Sequence, residues 1–236
     1  MRDIVIEAWG DLACFTRPES KVERFSYPVI TPSAARGLLD AIYAKPVEFC
    51  WRIDRIEVLN PIRFISLRRN EVKEKISENV VLKAIKGGDG PLIIADATKE
   101  MVGNDKEGRT QRQTMALKDV RYRIFAHIEP RPEFEAKLKG FEEQALRRIE
   151  GGKCFYQPFF GCSEFVAYFE LSQMQKRPIS ESIDIGWMIY DVFDLDKVII
   201  DKAQPYISLF RAELTEGVME IPAWRSDDVK KPNARR

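Results

Sequence analysis

Apolar and polar residues alternate from the start of the chain, with Ile4, Ile6 and Ala8 leading to Trp9-Gly10. That is the period of a strand with one buried face. A loop rich in Pro, Ser and charge follows. Thr31-Pro32-Ser33 then offers a hydroxyl cap with proline in the first turn, and Ala34, Leu38, Leu39, Ile42 and Tyr43 recur at helical spacing, so a helix ending near Lys45-Pro46 is predicted. Over 47–67, Phe49, Trp51, Ile53, Ile56, Val58, Ile62, Phe64 and Ile65 alternate well enough for two strands, punctuated by Asn60-Pro61. The stretch 68–112 is charged and carries Gly87-Gly88-Asp89-Gly90, with an apolar run only over 91–95, which predicts a long excursion that is mobile or ordered by a partner. Val120, Tyr122, Ile124, Ala126 and Ile128 predict a strand stopped by Pro130. A second helix is expected over 132–150, from the spacing of Phe134, Leu138, Phe141, Ala145, Leu146 and Ile149 and the closing Gly151-Gly152. Strands follow over 165–171, 186–192, 206–213 and 217–221.

This order of elements predicts an α+β, ferredoxin-like (RRM-like) domain over residues 1–175 with an insertion at about 68–112. Residues 176–236 are expected to form a small C-terminal antiparallel β-sheet and a basic tail. With 44% hydrophobic and 32% charged residues, the chain can bury a core. No apolar run reaches the length of a membrane span and the N-terminus does not resemble a signal peptide, so a cytoplasmic protein with no membrane partner is expected. Cys14, Cys50, Cys154 and Cys162 form no C-x-x-C pair and there is one histidine, which argues against zinc; no metal or other cofactor is expected. The net charge of +1 does not announce a nucleic-acid binder. Basic residues do cluster, at Arg68-Arg69, at Arg109 and Arg112, at Arg147-Arg148 with Lys153, and in the tail. Each cluster taken alone reads equally as a solvated face or a phosphate contact.

Several strings converge on one family: Cys14-Phe15-Thr16-Arg17-Pro18-Glu19, Pro32-Ser33-Ala34-Ala35-Arg36-Gly37, Tyr43-Ala44-Lys45-Pro46, Arg68-Arg69-Asn70-Glu71, Gln111-Arg112-Gln113-Thr114, and Gln157-Pro158-Phe159-Phe160-Gly161-Cys162. They resemble the subtype I-C (Dvulg type) CRISPR-associated Cas-five family of the RAMP superfamily. The resemblance implies a subunit that binds the repeat-derived part of CRISPR RNA, cuts the precursor at its repeat hairpin without metal by attack of a ribose 2′-hydroxyl, and keeps the crRNA 5′ handle in a type I-C surveillance complex beside backbone and large subunits. The alternative is a structural subunit that caps the crRNA without cutting.

In the family, the chemistry is attributed to a tyrosine ending the first helix and an adjacent lysine and histidine near the second. Tyr43 matches the tyrosine and Lys139 the lysine, whereas Gly140 stands where the histidine is expected. His127, the one imidazole, is the remaining candidate. A phenol of ordinary pKa near ~10 is a poor base, so Tyr43 is expected to position the 2′-hydroxyl or hydrogen-bond the phosphate, and Lys139 to stabilise phosphorane charge. RNA is held by stacked aromatics and by Lys and Arg on phosphates. The residues expected in that role are Arg17, Lys21, Arg36, Arg68, Arg69, Arg112, Lys153 and Tyr156.

Overall fold

The computed structural model describes residues 2–20, 23–73, 77–88, 98, 101, 108–198 and 205–232. Its framework is a large sheet centred on one long strand. β1 (Ile4–Ala13) and β3 (Phe49–Val58) flank β5 (Arg109–Pro130), both antiparallel to it. β6 (Tyr168–Leu171) lies outside β1, and β9 (Val218–Glu220) outside β3, giving the order β6-β1-β5-β3-β9. The first half of β5 also pairs with β2 (Arg24–Phe25) and with β4 (Phe64–Val72). β7 (Ile183–Asp191) and β8 (Ser208–Leu214) form a separate two-stranded sheet.

Register assigns every side chain to a face, because opposed residues of an antiparallel pair project to the same side. Ile4, Ile6 and Ala8 oppose Ala126, Ile124 and Tyr122, which in turn oppose Ile53, Ile56 and Val58. A bulge between Ile53 and Arg55 keeps Ile53 and Ile56 on this apolar face. Two helices cover it. α1 (Pro32–Ile42) starts where the Thr31 hydroxyl accepts the Ala34 N–H at 3.2 Å, and it buries Ala35, Leu38, Leu39 and Ile42. α3 (Leu138–Glu150) buries Phe141, Ala145 and Ile149. The opposite face is polar: Arg123, 2% exposed, bonds Glu7 at 3.0 Å, Glu57 at 2.6 Å and the Lys176 carbonyl at 2.6 Å. One apolar cluster runs from the large sheet into Met188, Tyr190 and Phe210 of the small one.

Several boundaries differ from the sequence reading. α1 stops at Ile42, because Tyr43 is already extended at φ −152°. Pro132–Lys137 form a 3-10 turn before α3. The flanks of the predicted excursion are a hairpin, paired residue by residue from Phe64 with Leu117 to Val72 with Arg109. Hydrophobicity could not reveal that pairing, since one of its faces carries Arg69, Glu71 and Arg112 rather than apolar side chains. Beyond it, α2 (Glu78–Ile85) buries no residue; residues 89–97 lie outside the described residues. Finally, β9 extends the large sheet instead of joining the small C-terminal one. No helix among the described residues is long and apolar enough to cross a membrane.

Candidate active site

The C-terminus of α1 leaves carbonyls that the helix itself cannot satisfy. Three consecutive ones are taken by three different parts of the fold. The Phe155 N–H donates to the Ala41 carbonyl at 2.7 Å, Arg148 Nε to the Ile42 carbonyl at 2.6 Å, and Trp51 Nε1 to the Tyr43 carbonyl at 2.7 Å. Tyr43 is thereby fixed among β3, α3 and the loop after α3. Its ring lies 5.2 Å from Phe49, which lies 5.2 Å from Phe141.

Tyr43 is only 5% exposed. Burial pushes its phenol above the ordinary value; Lys45, Arg148 and Arg147 pull it down without cancelling that effect, and Glu48 adds to it. The hydroxyl therefore keeps its proton at neutral pH. Lys45 Nζ sits 2.9 Å from Glu48, which raises the lysine further, and 5.4 Å from the Phe141 ring centroid. The guanidinium of Arg148 also lies 4.3 Å from the Phe155 ring centroid. Around Tyr43 the structure thus gathers Lys45, Arg147 and Arg148, which the sequence reading had not assigned to the site. Their signal was present as the Arg147-Arg148 pair in the last turn before Gly151-Gly152.

Of the other two expected catalytic residues, His127 is not brought to this place, and Lys139 lies two positions beyond Lys137, whose Nζ is 3.8 Å from Glu48. Lys139 precedes Phe141 by two positions, about 200° round the helix at ~100° per residue, and is exposed at the flank of the stripe that packs on the sheet. A Cβ added at Gly140 meets nothing within 4 Å. His127 opposes Arg52 across β3 and β5, so it projects from the polar face, while Tyr43 packs on Phe49 on the apolar one. Its Nδ1 is 2.7 Å from Asp54 Oδ2, and it lines a cavity of about 260 Å³ with Arg52, Tyr190 and Trp224. The sheet separates His127 from Tyr43, and the two cannot act on one phosphate.

Arg36, expected to contact RNA, is turned inward instead. It is 9% exposed, and its Nε and Nη2 grip both oxygens of Asp191 at 2.6 and 3.1 Å while Nη1 meets Asp40. Burial opposes its charge, but Asp191 and Asp40 outweigh that, so it stays protonated and fully engaged. Arg17 is partly exposed beside Glu19 at 3.6 Å and lies 5.0 Å from the Tyr27 ring centroid. Arg68 is exposed on the outer face of the β4–β5 hairpin. Arg69 faces Arg112 across the hairpin and pairs with Glu164 and with Glu71, the latter at 3.3 Å. Lys153 is exposed, as is Tyr156 at 54%. Tyr156 also lines a cavity of about 470 Å³ with Phe15, Ser33, Gly37, Phe159 and Phe193. Lys21 lies outside the described residues.

Residues 3–226 match the family described as CRISPR-associated protein (Cas_Cas5). A protein of Mannheimia succiniciproducens named CRISPR pre-crRNA endoribonuclease Cas5d is 42% identical over 243 residues, covering 97% of this chain and 98% of its own. A Thermus thermophilus protein of the same name is 34% identical over 239 residues, covering 94% and 93%. Among solved structures, that of a CRISPR-associated protein superposes with a TM-score of 0.62 at 20% identity, covering 97% of this chain and 96% of the other.

Proposed function

This chain belongs to the CRISPR-associated Cas5 family, and on that premise we propose that it cuts precursor CRISPR RNA at the repeat hairpin and retains the crRNA 5′ handle as a subunit of a type I-C surveillance complex. The strand order β6-β1-β5-β3, with α1 between the first and second of its strands in sequence and α3 between the third and fourth, supports a ferredoxin-like reading of the body.

The observation that carries the catalytic reading is the pinned end of α1, where Tyr43 stands among Lys45, Arg147 and Arg148. A 2′-hydroxyl attacking the adjacent phosphate builds negative charge on the phosphorane, and cations and donors held in place before the reaction stabilise it without reorganisation. Tyr43 donates a hydrogen bond to the reacting group, and Arg147 and Lys45 supply positive charge. Lys139 serves the RNA from the exposed side of α3. The exposed aromatics of the loop after α3, Phe155, Tyr156 and Phe159, offer stacking surfaces to unpaired bases, with Lys153, Arg17, Arg68 and Arg112 on phosphates.

A second reading, crRNA capping without cutting, rests on Gly140 and on the outward direction of Lys139. Cleavage of the cognate repeat RNA in EDTA distinguishes the two. Cutting that persists in EDTA and stops with a 2′-deoxy substitution at the scissile nucleotide is expected. Tyr43→Phe should slow it by about 10²-fold while leaving RNA affinity within a few-fold. Tight binding with no cutting, restored by Gly140→His, establishes the capping reading instead. Cutting that ignores the 2′-deoxy change sinks the proposed chemistry.

A further inference from the structure

Cys14 and Cys162 share a small buried cluster with Ala116 and Phe165, apart from the main core. They are 1% and 7% exposed, and neither is in a disulfide. The backbone holds them there. The Cys14 N–H donates to the Phe160 carbonyl at 3.0 Å, the Phe160 N–H to Phe165 at 2.8 Å, and the Phe165 N–H to Cys162 at 2.9 Å. Gly161, at φ +80°, passes so close that a Cβ would lie 2.0 Å from the Cys14 carbonyl oxygen.

The surroundings of the two sulfurs differ. Arg24 Nη1 lies 3.0 Å from Cys162 Sγ, and Arg69 adds to the field. Glu71 and Glu164 balance Arg24 from 3.5 and 3.8 Å. Cys14 Sγ meets Thr16 Oγ1 at 3.6 Å. The geometry points to Cys162 as a peroxide-reactive thiol and to Cys14 as its resolving partner, a modification site that closes an intramolecular disulfide. The Cys162 thiolate attacks one oxygen of hydrogen peroxide, the O–O bond breaks, and sulfenic acid and hydroxide result. The Cys14 sulfur then attacks the sulfenic sulfur, its proton leaves with the departing hydroxide as water, and the S–S bond forms. Two electrons pass from the two sulfurs to one peroxide, and the first hydroxide takes up the proton that Cys162 gave to solvent on ionising, so that the peroxide ends as two waters.

The neighbouring Cys14 and the charges of Arg24 and Arg69 prevail over burial and hold the Cys162 thiol below the ordinary range. A thiol lowered in this way carries a larger thiolate fraction at neutral pH than an ordinary one. The test treats the full chain with equimolar hydrogen peroxide, alkylates it under denaturing conditions and maps the peptides. The expected result is a linked Cys14–Cys162 peptide, with Cys50 and Cys154 still alkylated and a rate that levels off above a midpoint lower than the pH at which an ordinary thiol ionises. Arg24→Gln should move that midpoint upward and slow the reaction several-fold at neutral pH. In Cys14→Ser, dimedone should trap a sulfenic acid at Cys162. Reaction of Cys162 no faster than of Cys154, a link to a different cysteine, or an unmoved midpoint in Arg24→Gln would overturn the assignment; the last reading needs neither cysteine replaced.

Discussion

Arg36 and Asp191 leave water together on folding, so each depends on the other being there. Arg36→Ala leaves the Asp191 carboxylate, 1% exposed, without its bidentate partner. A loss of about 3–5 kcal/mol in urea unfolding is expected; a surface RNA contact would instead lose affinity with stability intact. Arg147→Ala is the converse case. Arg147 is exposed, so stability should change by under ~0.5 kcal/mol while cleavage of repeat RNA falls. Glu7 belongs to the same scale. Burial alone would raise its carboxyl, but the bonds from Arg121, Arg123 and Ser172 prevail and hold it below the ordinary value. Its folded pKa is thus depressed, its stabilisation is present above the unfolded value near ~4.3, and it is lost as pH falls through the folded one. Denaturation followed from pH 7 to 3 should show a shallower acid loss in Glu7→Gln than in the unsubstituted protein.

At the scale of elements, two glycines make opposite predictions. Gly161 combines φ +80° with the Cys14 carbonyl 2.0 Å from a would-be Cβ, so Gly161→Ala must displace the loop or β1 and should lower the thermal midpoint sharply. Gly140 lies within α3 with nothing within 4 Å. Gly140→Ala should stabilise by about 0.5–1 kcal/mol in the same melt, through helix propensity alone. The elements themselves were largely legible. Thr31-Pro32 marked the start of α1, and the alternation of Tyr122, Ile124 and Ala126 marked β5. What escaped was pairing carried by polar residues, as along Arg69 and Glu71, and helix ends decided by distant donors: the stop at Ile42 depends on Arg148 and Trp51, which no local signal contains.

Across the whole molecule, the two faces of the large sheet explain why the candidate site was only partly readable. Tyr43 and His127 both carry plausible chemistry as residues, but only register tells that a strand layer stands between them. Arg36 looked like a free cation because its two carboxylates come from one turn away and from β7. Conversely, the root of the β4–β5 arm is simple. Val72 faces Arg109 directly, and α2 beyond them buries nothing. From Arg68 to Val72 the ladder with β5 holds no residue of the main apolar cluster, so charges along it can be exchanged while the packing beneath α1 and α3 stays as it is.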